Sequence, residues 1–153
     1  MSARPRATTR RTADLTAFVG APASFWVASM ACLAIVIGSV APWSMAYGFM
    51  SFSGTRMHGW NEIGVAGLGL AMLGAHRMLE ARLPLLVAAV AGALGAIQAV
   101  GTLTKIGSDG SVTVFGIQYR FLDPAWGLYL VLAGTIALAC SAALTWLAAR
   151  PVA

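Results

Sequence analysis

The chain is 153 residues long and is far more apolar than a water-soluble protein. Hydrophobic residues make up 59% of it, charged residues make up 10%, and the formal net charge is +5. In a soluble domain about a quarter of the residues are charged. These figures exclude a soluble enzyme, a nucleic-acid-binding domain, a disulfide scaffold and a disordered linker as the main description. They predict a small integral membrane protein.

Four segments are predicted to cross the membrane, because a helix of about 20 apolar residues spans the ~30 Å hydrocarbon layer. The predicted fold is an all-α four-helix bundle over residues 24–150, with helices at 24–43, 62–79, 83–104 and 125–149. A basic arm, residues 1–23, precedes them. The second segment is the least apolar, because His76 and Arg77 interrupt its last turn.

Basic residues predict the orientation, since cytoplasmic loops of membrane proteins carry an excess of Lys and Arg. With an inner N-terminus, seven of the ten basic residues lie inside and three outside. The inner ones are Arg4, Arg6, Arg10, Arg11, Arg77, Arg82 and Arg150, and the outer ones are Arg56, Lys105 and Arg120. The imbalance predicts a multi-pass protein of the bacterial plasma (inner) membrane with both termini in the cytoplasm.

All five tryptophans fall near a predicted membrane surface. Trp is enriched there because its ring can be buried while its N–H stays wet. Trp26 and Trp146 lie near the inner surface, and Trp43, Trp60 and Trp126 near the outer one. We therefore predict that these five side chains are interface anchors.

The two outer loops are rich in aromatic and β-branched residues, which favours extended chain. The predicted contact residues in these loops are Phe49, Phe52, Phe115, Tyr119 and Phe121. If strands from the two loops pair, their edges find partners instead of staying open. The hypothesis is a small β-cap over the outer end of the helices.

Pro42-Trp43 ends the first predicted helix, and Ser53-Gly54 lies in the loop that follows. In these features the first half of the chain resembles a broad group of small bacterial four-helix membrane proteins of unassigned function. The resemblance implies the fold alone, with no activity, cofactor or mechanism.

Small residues line the third predicted helix in two neighbouring stripes. One stripe is Ala88, Gly92 and Ala96, and the other is Ala91, Gly95 and Ala99. Small residues let helix backbones approach closely, which is how helices associate in lipid. The face therefore either packs the four helices together or docks a partner's helix. The same two alternatives apply to glycines 64, 67 and 74 on the second helix.

Ionisable residues inside a membrane are functional candidates by default, and the predicted spans hold few of them. Glu62 is expected at the outer interface, where the second helix begins. No Ser-His-Asp or Cys-His grouping, nucleophile elbow, zinc-protease motif or phosphate-binding glycine motif occurs. The sequence thus predicts no enzyme, no catalytic residue, no cofactor and no metal site.

One alternative is a soft-metal site, because thioether and imidazole ligands suit Cu(I). Its ligands would be Met45, Met50, Met57 and His58.

The basic arm is predicted to contact anionic lipid headgroups, at about 1 kcal/mol per residue, or an acidic partner. Its basic residues are Arg4, Arg6, Arg10 and Arg11. No aromatic residues are interleaved with them, so nucleic acid is not an expected partner. The leading hypothesis is a non-enzymatic accessory, assembly or scaffolding subunit of a larger inner-membrane complex, with other integral membrane subunits as partners. The alternatives are a small oligomeric transporter or channel and a soft-metal-handling membrane protein.

Overall fold

The computed structural model describes residues 23–114, 117–120 and 122–148, and only the backbone of residues 112–114 and 117–120. Within these residues the chain forms four α-helices, five strands and a short 3-10 helix. The helices are α1 (Ala23–Val40), α2 (Gly59–Leu79), α3 (Leu83–Asp109) and α4 (Trp126–Ala148). The strands are β1 (Pro42–Ala46), β2 (Met50–Ser53), β3 (Ser111–Val114), β4 (Ile117–Arg120) and β5 (Leu122–Pro124), and the 3-10 helix is Gly54–Met57.

The helices pack in a closed ring in which α1 and α3 each contact both α2 and α4. One core cluster takes side chains from every helix. Its larger members are Phe25, Cys32 and Ile35 of α1, Leu73 of α2, Leu85 of α3 and Leu138 of α4. The predicted helical fold with four helices is confirmed for the described part of the chain.

Three of the described helices, α1, α3 and α4, are long and apolar enough to cross a membrane. Helix α2 has 21 residues but does not meet the same measure of apolarity. Its ends carry Asn61, Glu62, His76 and Arg77, and four glycines lie between them. By length and composition the chain is therefore a membrane-type helical protein, and α2 is its least apolar helix.

Three helix ends differ from the predicted ones by more than one residue. Helix α1 ends at Val40, because Pro42 has no backbone N–H to continue a helix and instead begins β1. Helix α2 begins at Gly59, three residues before the predicted start. Helix α3 runs on to Asp109, and the Gly110 N–H donates to the Ile106 carbonyl at 3.1 Å to close its last turn.

Strands from the two inter-helix loops do pair. Strand β1 lies at the centre of a three-stranded antiparallel sheet in the order β2-β1-β5. Met45 of β1 faces Asp123 of β5, and Ser44 faces Phe52 of β2. A separate hairpin joins β3 to β4. The hypothesis of a small β-cap is thus confirmed by the sheet, which ties the end of α1 to the beginning of α4.

Trp43 attaches the sheet to the helices. Its side chain is fully buried, and its indole N–H donates to the Gly38 carbonyl at 2.9 Å. Gly54 packs so closely against the indole and the Ser39 carbonyl that a β-carbon at Gly54 would overlap both. The expectation that Trp43 is an interface anchor with a wet N–H is therefore wrong, because the chain turns into β1 here and carries the ring under the sheet.

Candidate functional site

The small-residue face of α3 is used inside the molecule. Ala88, Ala91, Gly92, Gly95 and Ala99 are buried, and Ala96 is half-buried. A β-carbon at Gly92 would lie 2.9 Å from the Thr135 carbonyl and 2.8 Å from the Ala139 nitrogen, both on α4. Of the two alternatives for this face, the structure supports internal packing. These residues are not free to dock a partner.

Three of the glycines of α2 have the opposite environment. A β-carbon at Gly64, Gly67 or Gly74 would meet no described atom within 4 Å. With exposed Ala71 they form a continuous stripe at helical spacing, and exposed Trp60 and Met78 lie at its two ends. We call residues 64, 67, 71 and 74 the α2 stripe. It is a small-residue helix face that no described part of the chain covers.

The hairpin between β1 and β2 ends in exposed apolar side chains. Tyr47 and Gly48 both have positive φ angles, 53° and 77°, and the Phe49 N–H donates to the Ala46 carbonyl at 3.3 Å. These are the features of a type I′ turn, whose twist matches that of the flanking strands. The rings of Tyr47 and Phe49 stack at 6.3 Å between centroids and are 70% and 78% exposed. The turn therefore holds two aromatic rings away from the body of the protein.

The predicted loop contact residues are only partly within the structure. Phe49 and Phe52 are exposed on this hairpin. Tyr119 lies in β4, where only the backbone is described, and Phe115 and Phe121 lie outside the described residues. The predicted basic contacts of the arm, Arg4, Arg6, Arg10 and Arg11, also lie outside them.

Four of the five predicted tryptophan anchors keep some exposure. Trp60 and Trp126 are 68% and 58% exposed, and Trp26 is also exposed. Trp146 is half-buried against the core cluster. For these four tryptophans the role of interface anchor stays a prediction. Only for Trp43 does the structure contradict it.

Glu62 is not at the surface. Its side chain is fully buried, and neither carboxyl oxygen has a hydrogen-bond partner among the described residues. A β-carbon at Gly95 of α3 would lie 3.0 Å from Glu62 Oε2 and 2.8 Å from the Thr135 methyl group. The carboxyl group thus fits into the space that Gly95 leaves between α2, α3 and α4. Glu62 is therefore not an exposed interfacial side chain, because the first turn of α2 faces the helix core, and its depth in the membrane stays a prediction.

A signal for this burial is present in the sequence. Glu62, Ala66, Gly69 and Leu73 are spaced by four, three and four residues, and all are buried. This is the spacing of one helix face, and it places Glu62 on the same inward stripe as its apolar neighbours. Thr135 does not complete a polar site there, because its hydroxyl donates to the Val131 and Leu132 carbonyls of its own helix.

The proposed set of soft-metal ligands is not brought together. Met57 Sδ accepts a hydrogen bond from the Ser44 hydroxyl at 3.5 Å, on the buried face of β1. Met45 follows Ser44 in the strand and points to the opposite face, since side chains alternate. Met45 and Met57 therefore lie on opposite sides of β1, and a shared soft-metal site stays a prediction. In the part of the chain that the structure describes, no three His, Cys, Asp or Glu side chains are grouped for a metal.

Comparison with protein-family models, curated proteins and solved structures finds no match for this chain.

Proposed function

We propose that this protein is a non-enzymatic accessory or assembly subunit of a larger complex in the bacterial inner membrane. In this proposal the α2 stripe docks against a membrane helix of a partner subunit. The observation that carries it is the stripe itself: on the least apolar helix of the ring, a β-carbon at Gly64, Gly67 or Gly74 would meet no described atom within 4 Å.

The proposal requires that α2 cross the membrane, and the connections of the chain support this. The pairing of β1 with β5 brings the end of α1 next to the start of α4. The Leu122 N–H donates to the Gly110 carbonyl, which brings the end of α3 to the same place. Since α1 and α3 both run toward the sheet, the chain between them must return, and α2 is that return. At 1.5 Å per residue its 21 residues extend about 31 Å, close to the hydrocarbon thickness.

An uncovered glycine stripe packs less favourably against lipid than against another helix. Lipid tails are as apolar as Leu, so helices gain by close backbone contact, which small residues permit. The α2 stripe has spacings of three, four and three residues, near the 3.5-residue repeat of left-handed helix pairs that cross at about 20°. The proposed partner is therefore a helix lying nearly along α2.

The aromatic hairpin offers the same partner a second contact beyond the membrane. Tyr47 and Phe49 are held by a turn of fixed geometry, so little side-chain freedom is lost when they are covered. In the predicted orientation both termini lie on the inner side of the membrane. The sheet and this hairpin tip then lie on the outer side.

The test is Gly67→Leu with Gly101→Leu as its matched control. Both glycines are helical, and a β-carbon at either meets no described atom within 4 Å, so neither change crowds the described fold. Gly101 lies on α3, away from the stripe. After purification in a mild detergent, wild type and Gly101→Leu are expected to keep a stoichiometric partner in native mass measurements, and Gly67→Leu to lose most of it.

The same preparations also control for misfolding and define the results that would contradict the proposal. All three chains should melt within a few degrees of one another, which shows that the loss is not misfolding. Equal partner retention by the two variants would remove the α2 stripe as the docking face. A wild-type chain that purifies only as a homo-oligomer would overturn the subunit proposal.

One observation favours a second function, a small oligomeric transporter or channel. Glu62 is a carboxyl group inside the helix ring without a described partner, and intramembrane carboxyl groups commonly bind transported protons or cations. The test is proton flux into liposomes loaded with a pH-sensitive dye. Flux that Glu62→Gln abolishes and Glu80→Gln preserves would support transport. No flux in wild type above that of empty liposomes would count against it.

A further inference from the structure

A cleft of about 420 Å³ opens at the sheet end of the molecule, between the 3-10 helix and the last turns of α3. Its floor is apolar and is formed by Met57, Ile106 and Leu122. Its rim is polar and carries Arg56, His58, Lys105 and Asp109. We call this the sheet-end cleft. Its volume lies within the range of small-molecule sites, which are mostly apolar with a few placed polar groups.

The rim carries more positive than negative charge. Arg56 and Lys105 come from different elements and both line the cleft, and neither the guanidinium nor the ammonium group has an ion-pair or hydrogen-bond partner among the residues the structure describes. The one acid, Asp109, already accepts a hydrogen bond from the Ser108 hydroxyl at 3.2 Å. Asp109 keeps its negative charge, so the two cations and the one carboxylate leave a formal charge of +1 at the rim.

The beginning of α2 adds to this charge. Its N-cap is His58, which lines the cleft, and no side chain caps the helix. The first turn of a helix carries partial positive charge and free N–H groups, which favour anions. A guanidinium and an ammonium thus lie at the rim of one apolar floor, next to the N-cap of α2.

We propose that the sheet-end cleft binds a phosphate-bearing anion whose apolar remainder lies on the floor. Arg56 binds two phosphate oxygens at once, as its planar fork allows, and Lys105 supplies a point charge from the other wall. The cleft lies where α3 ends and α2 begins, so its rim is at headgroup depth if these helices cross. An anionic phospholipid and a free organic phosphate present the same chemistry here. This binding does not depend on a partner subunit.

The test compares wild type with Arg56→Gln/Lys105→Gln, and uses Arg82→Gln/Arg150→Gln as the charge-matched control. Arg82 lies at the opposite end of α3, and both pairs lower the net charge by two. Each protein is titrated with dioleoylphosphatidylglycerol in detergent, and bound lipid is counted by native mass spectrometry. We expect the cleft variant to bind at least about tenfold more weakly, a change of about 1.4 kcal/mol. The basic arm is the same in both variants, so lipid bound to the arm does not contribute to the difference in lipid affinity between them.

A second arm separates the two sources of phosphate. Glycerol 3-phosphate is added as a competitor up to millimolar concentration. Displacement of the lipid means that the cleft recognises the phosphate whichever molecule carries it, whereas no displacement assigns the site to lipid. The charge-preserving variant Arg56→Lys/Lys105→Arg should retain binding of the lipid even if the glutamine variant melts early. Equal lipid binding by the glutamine variant and its control, or none by wild type, overturns the proposal.

Discussion

A carboxyl group that is buried without a hydrogen-bond partner lowers the stability of a fold, and Glu62 is such a group among the described residues. A buried polar group left unpaired costs roughly 1–3 kcal/mol relative to a satisfied one. Replacing it with an apolar residue of similar volume removes that cost. We therefore expect Glu62→Leu to raise the free energy of unfolding by about 1–3 kcal/mol, with Glu62→Gln in between.

Thermal unfolding in detergent, followed by intrinsic tryptophan fluorescence, measures this directly. Glu80→Gln is the control, because Glu80 is exposed beyond the end of α2 and its removal should leave the melting temperature unchanged. A residue retained despite its cost to stability is typical of a functional position. If both Glu62 variants melt well below wild type, Glu62 is a structural residue. Its buried carboxyl group, the one observation that favours transport, then no longer supports that alternative.

Trp43 and Glu62 show why single residues were the weakest part of the sequence-based prediction. Both lie at predicted helix ends, where hydropathy places Trp and Glu at a membrane surface. Hydropathy gives depth along the helix axis but says nothing about whether a side chain points toward lipid or toward the other helices. For Glu62 the spacing with Ala66 and Leu73 could have supplied that direction, but it was not used in the prediction. For Trp43 no such spacing exists, because its burial depends on the turn of the chain into β1 and on the space above Gly54.

At the scale of helices and strands, composition predicted more of the structure than it did for single residues. Four helices, their approximate positions and a paired β-element between the loops all followed from hydropathy and from aromatic, β-branched runs. The glycine stripes of α2 and α3 look alike in sequence, however, and have opposite environments. Gly92 contacts the backbone of α4, whereas no described atom covers Gly67. Which stripe is filled depends on the neighbours of each helix in the ring, and spacing within one helix cannot supply that.

A close contact between two helices was also missed at this scale. Gly38 of α1 and Gly127 of α4 face each other so closely that a β-carbon at Gly38 would lie 2.8 Å from the Gly127 carbonyl. These two glycines are far apart in the chain, and neither belongs to a stripe like that of α3. The pairing of β1 with β5 brings the ends of α1 and α4 together, so the sheet, and not the helix pattern, determines this contact.

At the scale of the whole molecule, the chain connections require α2 to return from the sheet end to the opposite end. We therefore expect α2 to cross the membrane alongside α1 and α3, although its own apolarity does not demand it. With seven of ten basic residues on one side, the sheet is expected outside and the turn between α2 and α3 inside. A cysteine at the hairpin tip and one at that turn should then lie on opposite sides of the membrane.

This is measured with Phe49→Cys and Glu80→Cys, each in a Cys140→Ala background. Cys32 can stay because it is buried, and both target positions are exposed. In right-side-out vesicles a membrane-impermeant maleimide should label Phe49→Cys at once, and Glu80→Cys only after the membrane is opened. The reverse pattern would invert the orientation and leave the four crossings intact. Labelling of both positions in sealed vesicles would mean that α2 does not cross, and the docking of a partner helix along the α2 stripe would fail with it.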